Sequence, residues 1–263
     1  MNVVRPYWFE APGQILAGLG GHRDSGARME GLPPWPLSDG EIHFLYWFIQ
    51  GSIMIPETRH ALRRAWGFCE RHAWAALAVE LCFRPRFLHG PALLYDDLLQ
   101  RCLAVLSGNA PFRLQRVTRG LRSRGPCLMC TLDLHRAGRG GAQAGIIERG
   151  RQTVPLRQFA AELKAHWDAT VCSMCSGGGT DVLCRRHLIA QRRLAAATID
   201  THRQMVLDIH TGIVRLARSY VWGNRNTDRP QDRAALVSAV GFLGGWHPLL
   251  LLLADARGVG SRA

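Results

Sequence analysis

Lysine is almost missing from this chain. Lys164 is the only lysine among 33 basic residues, so arginine carries nearly all of the formal net charge of +13. This charge and a pI near 10.4 favour an acidic partner such as nucleic acid, whose phosphates arginine can neutralise. The chain is also rich in alanine and glycine, as a GC-rich coding sequence would make it. Charge alone therefore neither establishes nor excludes such a partner.

Long apolar runs are also missing. The most apolar stretch, residues 249–253 with its flanks, covers about ten residues, whereas a helix needs about 20 to cross a bilayer. No membrane span is expected. The N-terminal residues lack the pattern of a secretory signal peptide, so we expect a cytoplasmic location, where cysteines stay reduced.

The sequence lacks the common catalytic motifs. It has no phosphate loop, no dinucleotide fingerprint and no Gly-x-Ser-x-Gly elbow. Asp96 and Asp97 are adjacent carboxylates, which point in different directions on a helix. Glu162 and His166 are four residues apart, so they do not have the Glu-x-x-His spacing of di-iron bundles. These absences leave no candidate set of catalytic residues.

What the chain does contain is four pairs of metal-ligating residues, each with two residues between its members. Thiolate and imidazole bind zinc well, and this spacing lets both members of a pair reach one ion. Six cysteines and two histidines can therefore form two tetrahedral sites. The pairs are Cys69/His72, Cys127/Cys130, Cys172/Cys175 and Cys184/His187.

One of these sites can close within a short segment. Cys172, Cys175, Cys184 and His187 form a Cys-x2-Cys-x8-Cys-x2-His run, and the glycines at 177–179 let the intervening loop turn tightly. We predict a structural metal site there.

The other two pairs each need a partner from elsewhere in the fold. Cys69/His72 and Cys127/Cys130 can serve each other and form a second site with three cysteines and one histidine. Sequence alone permits other pairings among the four pairs.

Zinc is the expected metal, because cysteine-rich sets of four ligands are more often closed structural sites than open catalytic ones. An iron–sulfur cluster or thiol redox chemistry is the alternative, since Cys-x-x-Cys suits both. A c-type haem is excluded, because Thr131 and Ser176 follow the two Cys-x-x-Cys pairs. Cys82 and Cys102 lie in apolar helix-like runs and are expected to be buried free thiols.

Two motifs resemble those of a known family. Gly67-Phe68-Cys69-Glu70-Arg71-His72 and Leu183-Cys184-Arg185-Arg186-His187 look like the Gly-x-Cys-x-x-His motifs of an uncharacterised bacterial family of helical proteins, a domain of unknown function. That family pairs such motifs with Cys-Pro-x-Cys units. The resemblance covers roughly residues 40–190, and it implies a helical fold and metal binding only.

The chain departs from this family pattern before Gly67. Where a Cys-x-x-Cys pair would precede the first motif, the sequence has Ile42-His43-Phe44-Leu45. A first site built in the family manner would lack two thiolates, which would leave Cys69 and His72 as relics. His43 can replace one ligand, but a packed histidine is the expectation among so many aromatic residues.

The hydrophobic pattern predicts an all-α fold with zinc-knuckle-like sites at helix starts. Ser38 or Asp39 is expected to cap the first helix. The 184–222 helix is the one long helix of the second half. Helices are predicted over residues 41–53, 56–66, 73–83, 91–106, 155–167, 184–222, 228–242 and from 248 onward.

Two halves are predicted. An N-terminal helical half, residues 1–110, carries the degenerate Cys-x-x-His motif, and a C-terminal helical half, residues 127–263, carries the Cys/His metal site. Between them lies a basic linker, residues 111–126. Its arginines are Arg113, Arg116, Arg119, Arg122 and Arg124.

Three classes of function remain open. The first is a recognition module for a protein or nucleic-acid partner, which would bind through the arginines of the linker and those after Cys184. The second is an iron–sulfur or thiol redox protein. The third is an enzyme with a metal-stabilised scaffold, whose pocket would lie among aromatic residues of the first half. These residues are Trp35, Trp47, Trp66, Trp74 and Tyr95.

Overall fold

The computed structural model describes residues 33–108, 112–135, 141–178, 181–191 and 194–259. Within these ranges the chain is α-helical with two short 3-10 turns and has no β-strand, which confirms the all-α prediction. Residues 1–32 of the predicted N-terminal half lie outside the described residues. Among the residues that the structure describes, no helix is both long and apolar enough to cross a bilayer.

The α-helices are numbered here in chain order. Four longer helices come first, a run of short helices of four to nine residues follows, and three longer helices come last; several of the short ones begin at the paired cysteines. They are α1 (Asp39–Gln50), α2 (Pro56–Ala65), α3 (Glu70–Phe83), α4 (His89–Leu106), α5 (Arg113–Gly120), α6 (Leu128–Thr131), α7 (Ala144–Gly150), α8 (Val154–Glu162), α9 (Lys164–Trp167), α10 (Ser173–Ser176), α11 (Arg185–Ala190), α12 (Ala196–Arg218), α13 (Pro230–Gly244) and α14 (His247–Val259).

A capping box fixes the start of α1. The Ser38 hydroxyl accepts a hydrogen bond from the Glu41 N–H (3.1 Å), and the Glu41 carboxylate accepts one from the Ser38 N–H (2.7 Å). This satisfies two N–H groups that a helix start would otherwise leave free. The predicted cap at Ser38 is confirmed, and the box places Glu41 inside the fold, where it is fully buried.

Helix α3 is the central helix of the core. Its apolar residues are buried on nearly every side, as the uniformly apolar sequence predicts. It packs against α1, α8, α13 and α14. Trp74 of α3 lies 6.0 Å from Trp246, which stacks on Trp167 at 5.6 Å between ring centroids. These three buried indoles join α3 to the C-terminal helices.

The single long helix predicted over residues 184–222 is divided into α11 and α12. Ala195, the N-cap of α12, has an extended backbone conformation. The break lets α12 return toward the start of α11, where the Leu183 N–H donates to His202 Nε2 at 2.9 Å. The long helix therefore begins at Ala196. His202 is buried.

The segment predicted as a linker is packed against the rest of the fold. It contains α5, which contacts α4 through buried Val117, and Leu121 follows as a second fully buried side chain. The Arg124 N–H donates to the Arg64 carbonyl at 2.7 Å, and Trp66 Nε1 donates to the Arg122 carbonyl at 3.1 Å. One hydrophobic core accordingly includes residues from before and after this segment.

Candidate metal centres

All four ligand pairs occupy the first turn of a helix. In each pair the first residue is the N-cap, with an extended backbone, and the second is the third residue of the helix. Residues three apart lie on the same helix face, so both donor atoms can meet one ion. The free N–H groups and positive dipole end of a helix start also favour a thiolate. The N-caps are Cys69, Cys127, Cys172 and Cys184.

The first cluster consists of Cys69, His72, Cys127 and Cys130, from the starts of α3 and α6. His72 Nδ1 lies 3.2 Å from the sulfur of Cys69 and 3.5 Å from the sulfurs of Cys127 and Cys130. The sulfurs of Cys69 and Cys130 are 3.7 Å apart. The structure thus brings together two pairs that each lacked a partner in the sequence, across the boundary predicted at residue 126.

The second cluster consists of Cys172, Cys175, Cys184 and His187, from the starts of α10 and α11. His187 Nδ1 lies 3.2, 3.5 and 3.3 Å from the sulfurs of Cys172, Cys175 and Cys184, respectively. The sulfurs of Cys175 and Cys184 are 4.0 Å apart. This is the short local set that the spacing in the sequence predicts.

Both clusters have the dimensions of a site for one ion. In each of them the four donor atoms lie within 4.8 Å of one another, and all the cysteines are free thiols. A tetrahedron with typical zinc bond lengths has edges of about 3.8 Å between sulfurs and about 3.6 Å between sulfur and nitrogen. The observed distances match these edges, so each cluster can hold a metal ion without rearrangement of its backbone.

A buried carboxylate supports the histidine of the first cluster. Glu41 Oε1 lies 2.9 Å from His72 Nε2, and Glu41 Oε2 accepts a hydrogen bond from Arg71 at 2.8 Å. Burial raises the pKa of Glu41, but hydrogen bonds from His72, Arg71 and Ser38 outweigh it and hold the pKa well below its usual range. An ionised Glu41 accepts the Nε2–H and leaves Nδ1 free to bind metal.

No carboxylate of the described residues holds the histidine of the second cluster. Within the described part of the chain, His187 makes its polar contacts only with the cysteines of its own cluster, and it is partly exposed. The backbone N–H of Trp246 instead donates to Cys175. Since hydrogen bonds to ligands orient them and strengthen metal binding, the two clusters differ in how firmly their histidines are held.

The two clusters are connected through the residues between their ligands. Glu70, which follows Cys69, accepts a hydrogen bond from Arg186, which precedes His187, at 3.2 Å. The other oxygen of Glu70 accepts the His247 N–H at the start of α14 at 3.0 Å. Glu70 therefore joins α3, α11 and α14.

Arg185 is buried between the clusters. Its Nε donates to the Leu243 carbonyl at 3.1 Å, and its Nη1 donates to the Leu121 carbonyl at 2.7 Å. These carbonyls lie at the C-terminal ends of α13 and α5, where the helix dipole favours a positive charge. Arg185 thus ties the predicted linker to the second cluster.

The other candidate residues lie outside both clusters. His43 packs edge-on against Trp47, with ring centroids 6.4 Å apart, as expected for a packed histidine. Cys82 and Cys102 are buried free thiols, which confirms their prediction. Burial raises the pKa of Cys82 to about 11 and that of Cys102 to about 12. Both are therefore protonated near neutral pH.

The aromatic residues suggested as an enzyme pocket belong largely to the core. Trp66 and Trp74 are fully buried, and Tyr95 is buried as well. The Trp66 indole donates to Arg122, and the Trp74 indole donates to Gly245. These contacts give the side chains a packing role.

Glu41 and Arg71 were not anticipated as parts of the site, and Arg185 was expected only as one of the arginines that would bind an acidic partner. The sequence did indicate a structural role for Glu41, because a glutamate three residues after Ser38 is typical of a capping box. Nothing in the sequence indicated that Glu41 would meet His72, 31 residues further along the chain.

No protein-family model matches the chain, and neither the curated proteins nor the solved structures include a significant match. The comparisons thus assign the chain to no family. Its likeness to an uncharacterised bacterial family stays a prediction carried by the two Cys-x-x-His motifs.

Proposed function

We propose that this chain is a structural zinc protein in which each cluster holds one Zn²⁺. The observation that carries the proposal is the spacing of the donor atoms, with sulfurs 3.7 and 4.0 Å apart around one histidine nitrogen. An iron–sulfur cluster places several iron and sulfide atoms between its cysteine ligands, which holds many of the sulfurs further apart. The donor distances favour a single ion over that alternative.

The metal role is structural. Each cluster supplies four protein ligands, which close a tetrahedral zinc site, whereas a catalytic zinc keeps one position for water or substrate. Because the ligands come from helix starts that unfolding would separate, metal-binding free energy becomes folding free energy. Six thiolate ligands also require a reducing compartment, so we propose that the protein is cytoplasmic.

The biological role of this scaffold is the recognition of an acidic partner. Support comes from an arginine surface that faces away from the core near α2 and the segment after α5. Arg101 stacks over the Trp66 ring at 4.0 Å, and the pKa of Arg101 is lowered by burial and by the positive charges of Arg124 and Arg63. The surface comprises Arg63, Arg64, Arg101, Arg122 and Arg124, with Asp97 paired to Arg63 at 3.3 Å.

Elemental analysis and an absorption spectrum of anaerobically purified, untagged protein test the metal assignment. We expect two zinc atoms per chain and no visible colour. Iron with sulfide absorption would overturn the structural-zinc proposal and make redox chemistry the working hypothesis.

Binding to polyanions tests the recognition role. Affinity for an acidic partner is expected to fall steeply with salt, because each arginine contact releases counterions. Binding without salt dependence, or no binding to acidic polypeptide or nucleic acid, would overturn this role and leave the zinc assignment untouched.

A further inference from the structure

An open groove of about 510 Å³ lies beside the first cluster and the start of α11. Its walls come from the end of α2, the turn into α3, the segment after α5, and α11. Ligands of the first cluster, Cys69 and Cys127, form one side, and the two arginines that follow Cys184 form another. The groove thus lies where both Cys-x-x-His motifs meet the predicted linker.

Arg185 presents a buried charge to this groove. Only 5% of its surface is exposed, and its Nε and Nη1 are bound to carbonyls and to the Ser123 hydroxyl. Its Nη2 has no hydrogen-bond acceptor in the described part of the chain, and no carboxylate there pairs with it. A guanidinium held by neutral carbonyls keeps its full charge for a ligand.

Two further donors line the groove. Arg122 is exposed, and among the described residues only its backbone carbonyl is engaged, by Trp66. Arg186 is neutralised by Glu70, the one acidic residue among the described residues of the lining. The oxygens of Glu70 are already bound to Arg186 and to the His247 N–H. The lining side chains therefore carry more positive than negative charge, and the carboxylate of Glu70 already has its hydrogen-bond partners.

Two metal clusters would balance the net charge of these lining side chains, and further arginines lie just outside the lining. A Zn²⁺ bound by three thiolates and a neutral histidine has a net charge of −1, and two such clusters would offset two arginines. Arg64 and Arg124 flank the opening, with Arg64 Nη2 donating to the Arg124 carbonyl at 3.3 Å. Charge balance with the thiolates thus explains some of the arginines around the groove. It does not explain Arg64 and Arg124 at the opening.

We propose that this groove binds a phosphate group through Arg185 and Arg122. Phosphate fits because arginine offers planar paired donors that match its oxygens. The phosphate can belong to a nucleic-acid backbone or be free in solution. The inference deepens the proposed recognition of an acidic partner and rests on it.

The test compares two arginine variants of the full, zinc-loaded chain. Arg122→Gln removes a charge from the groove without touching a side-chain contact of the fold. Arg86→Gln removes a charge that is also exposed, just beyond the far end of α3 and about 20 Å along that helix from the groove. The probes are a fluorescein-labelled single-stranded oligothymidylate of twelve nucleotides and inorganic phosphate, with polyglutamate as a polyanion that has no phosphate.

We expect Arg122→Gln to weaken oligonucleotide binding about five- to tenfold and to reduce the salt slope by about 0.7, the share of one phosphate contact on a single strand. Arg86→Gln should change binding by less than about twofold. Inorganic phosphate should compete for the same site. Binding of phosphate without the oligonucleotide identifies the free anion as the ligand, and tighter oligonucleotide binding identifies the backbone.

Equal losses in Arg122→Gln and Arg86→Gln would overturn the groove assignment and indicate attraction by net charge alone. Wild-type binding to polyglutamate with no binding to either phosphate probe would overturn it too, while keeping the recognition role. No binding to any of the three probes would overturn both the phosphate groove and the proposed recognition of an acidic partner.

Discussion

Besides its four ligands, the first cluster depends on Glu41. It accepts a hydrogen bond from His72 and is itself held by Arg71 and Ser38. Glu41→Gln keeps the shape but removes the charge, so His72 is oriented less firmly and becomes a weaker ligand. We expect the zinc affinity of the first cluster to fall about 10- to 100-fold, with the second cluster unchanged.

Competition with a chromophoric zinc chelator measures this change, because the two equivalents should then be released at different chelator concentrations. Glu148→Gln, an exposed acid on α7, is the matched control and should release zinc as the wild type does. Equal weakening of both equivalents in Glu41→Gln would show that Glu41 acts on the whole fold and not on His72.

Glu80 makes folding stability depend on pH. It is buried on α3, and burial raises its pKa to about 8 against the opposing charge of Arg84. Its raised pKa means that the folded state holds a proton which the unfolded state releases near pH 4.5. Its contribution to stability is therefore complete below about pH 4.5 and is lost as the pH rises toward 8, by up to about 1.4 kcal/mol per pH unit.

Urea unfolding of the zinc-loaded protein at pH 6 and pH 8 checks this contribution. Glu80→Gln cannot ionise, so it should lose less stability between these two pH values than the wild type. Glu57→Gln, an exposed acid on α2, should follow the wild type. An identical pH dependence in Glu80→Gln and wild type would contradict the buried-acid account.

At the scale of the elements, the close approach of α13 to the tryptophans requires a glycine. A Cβ at Gly241 would lie 2.2 Å from the ring of Trp246, which is fully buried. Gly241→Ala should therefore destabilise the fold by about 1–3 kcal/mol, because the indole has no room to move. Gly145→Ala on α7 has open space around it and should be neutral or stabilising by up to about 1 kcal/mol.

Thermal unfolding of both alanine variants, with the zinc content held at two equivalents, measures the difference. The comparison separates steric crowding from helix propensity, since the same substitution improves propensity in both helices. A Gly241→Ala protein as stable as Gly145→Ala would show that Trp246 can shift.

The elements with strong local signals were predictable from the sequence. The Ser38 cap gave the start of α1, and the apolar run of α3 gave a buried helix. Helix α5 lies in the segment predicted as a linker, because its sequence is rich in arginine and Val117 is its one buried residue. The break before α12 has no proline or glycine to mark it, and it depends on the contact between His202 and Leu183, which only the folded chain brings together.

The fold of the whole molecule determines which ligand pairs meet. The sequence predicts one of the two pairings and leaves the other open. The second cluster was predictable because the nearest members of its two pairs are only nine positions apart in the chain. The first cluster joins pairs 55 residues apart at their nearest members, so many other pairings would have satisfied the same spacing. Its formation depends on the packing of α5 and the following segment against α2 and α4.

This difference in span predicts unequal contributions to stability. A cross-link that closes a longer loop removes more entropy from the unfolded chain, and the two spans differ by about 1.6 kcal/mol on that basis. We expect Cys127→Ala and Cys184→Ala each to lose one zinc equivalent, and Cys127→Ala to be the less stable of the two. Cys82→Ala, which removes a buried thiol outside both clusters, should keep two equivalents.

Zinc analysis and urea unfolding of the three variants test the assignment and the loop argument separately. Two equivalents retained in Cys184→Ala would refute the ligand set of the second cluster. One equivalent lost in both cluster variants, with Cys184→Ala the less stable, would keep the ligands but reject the loop-entropy account. In that case the contacts of Arg185 and Glu70 beside the second cluster would be the stronger link, because these residues tie α11 to α3, α13 and α14.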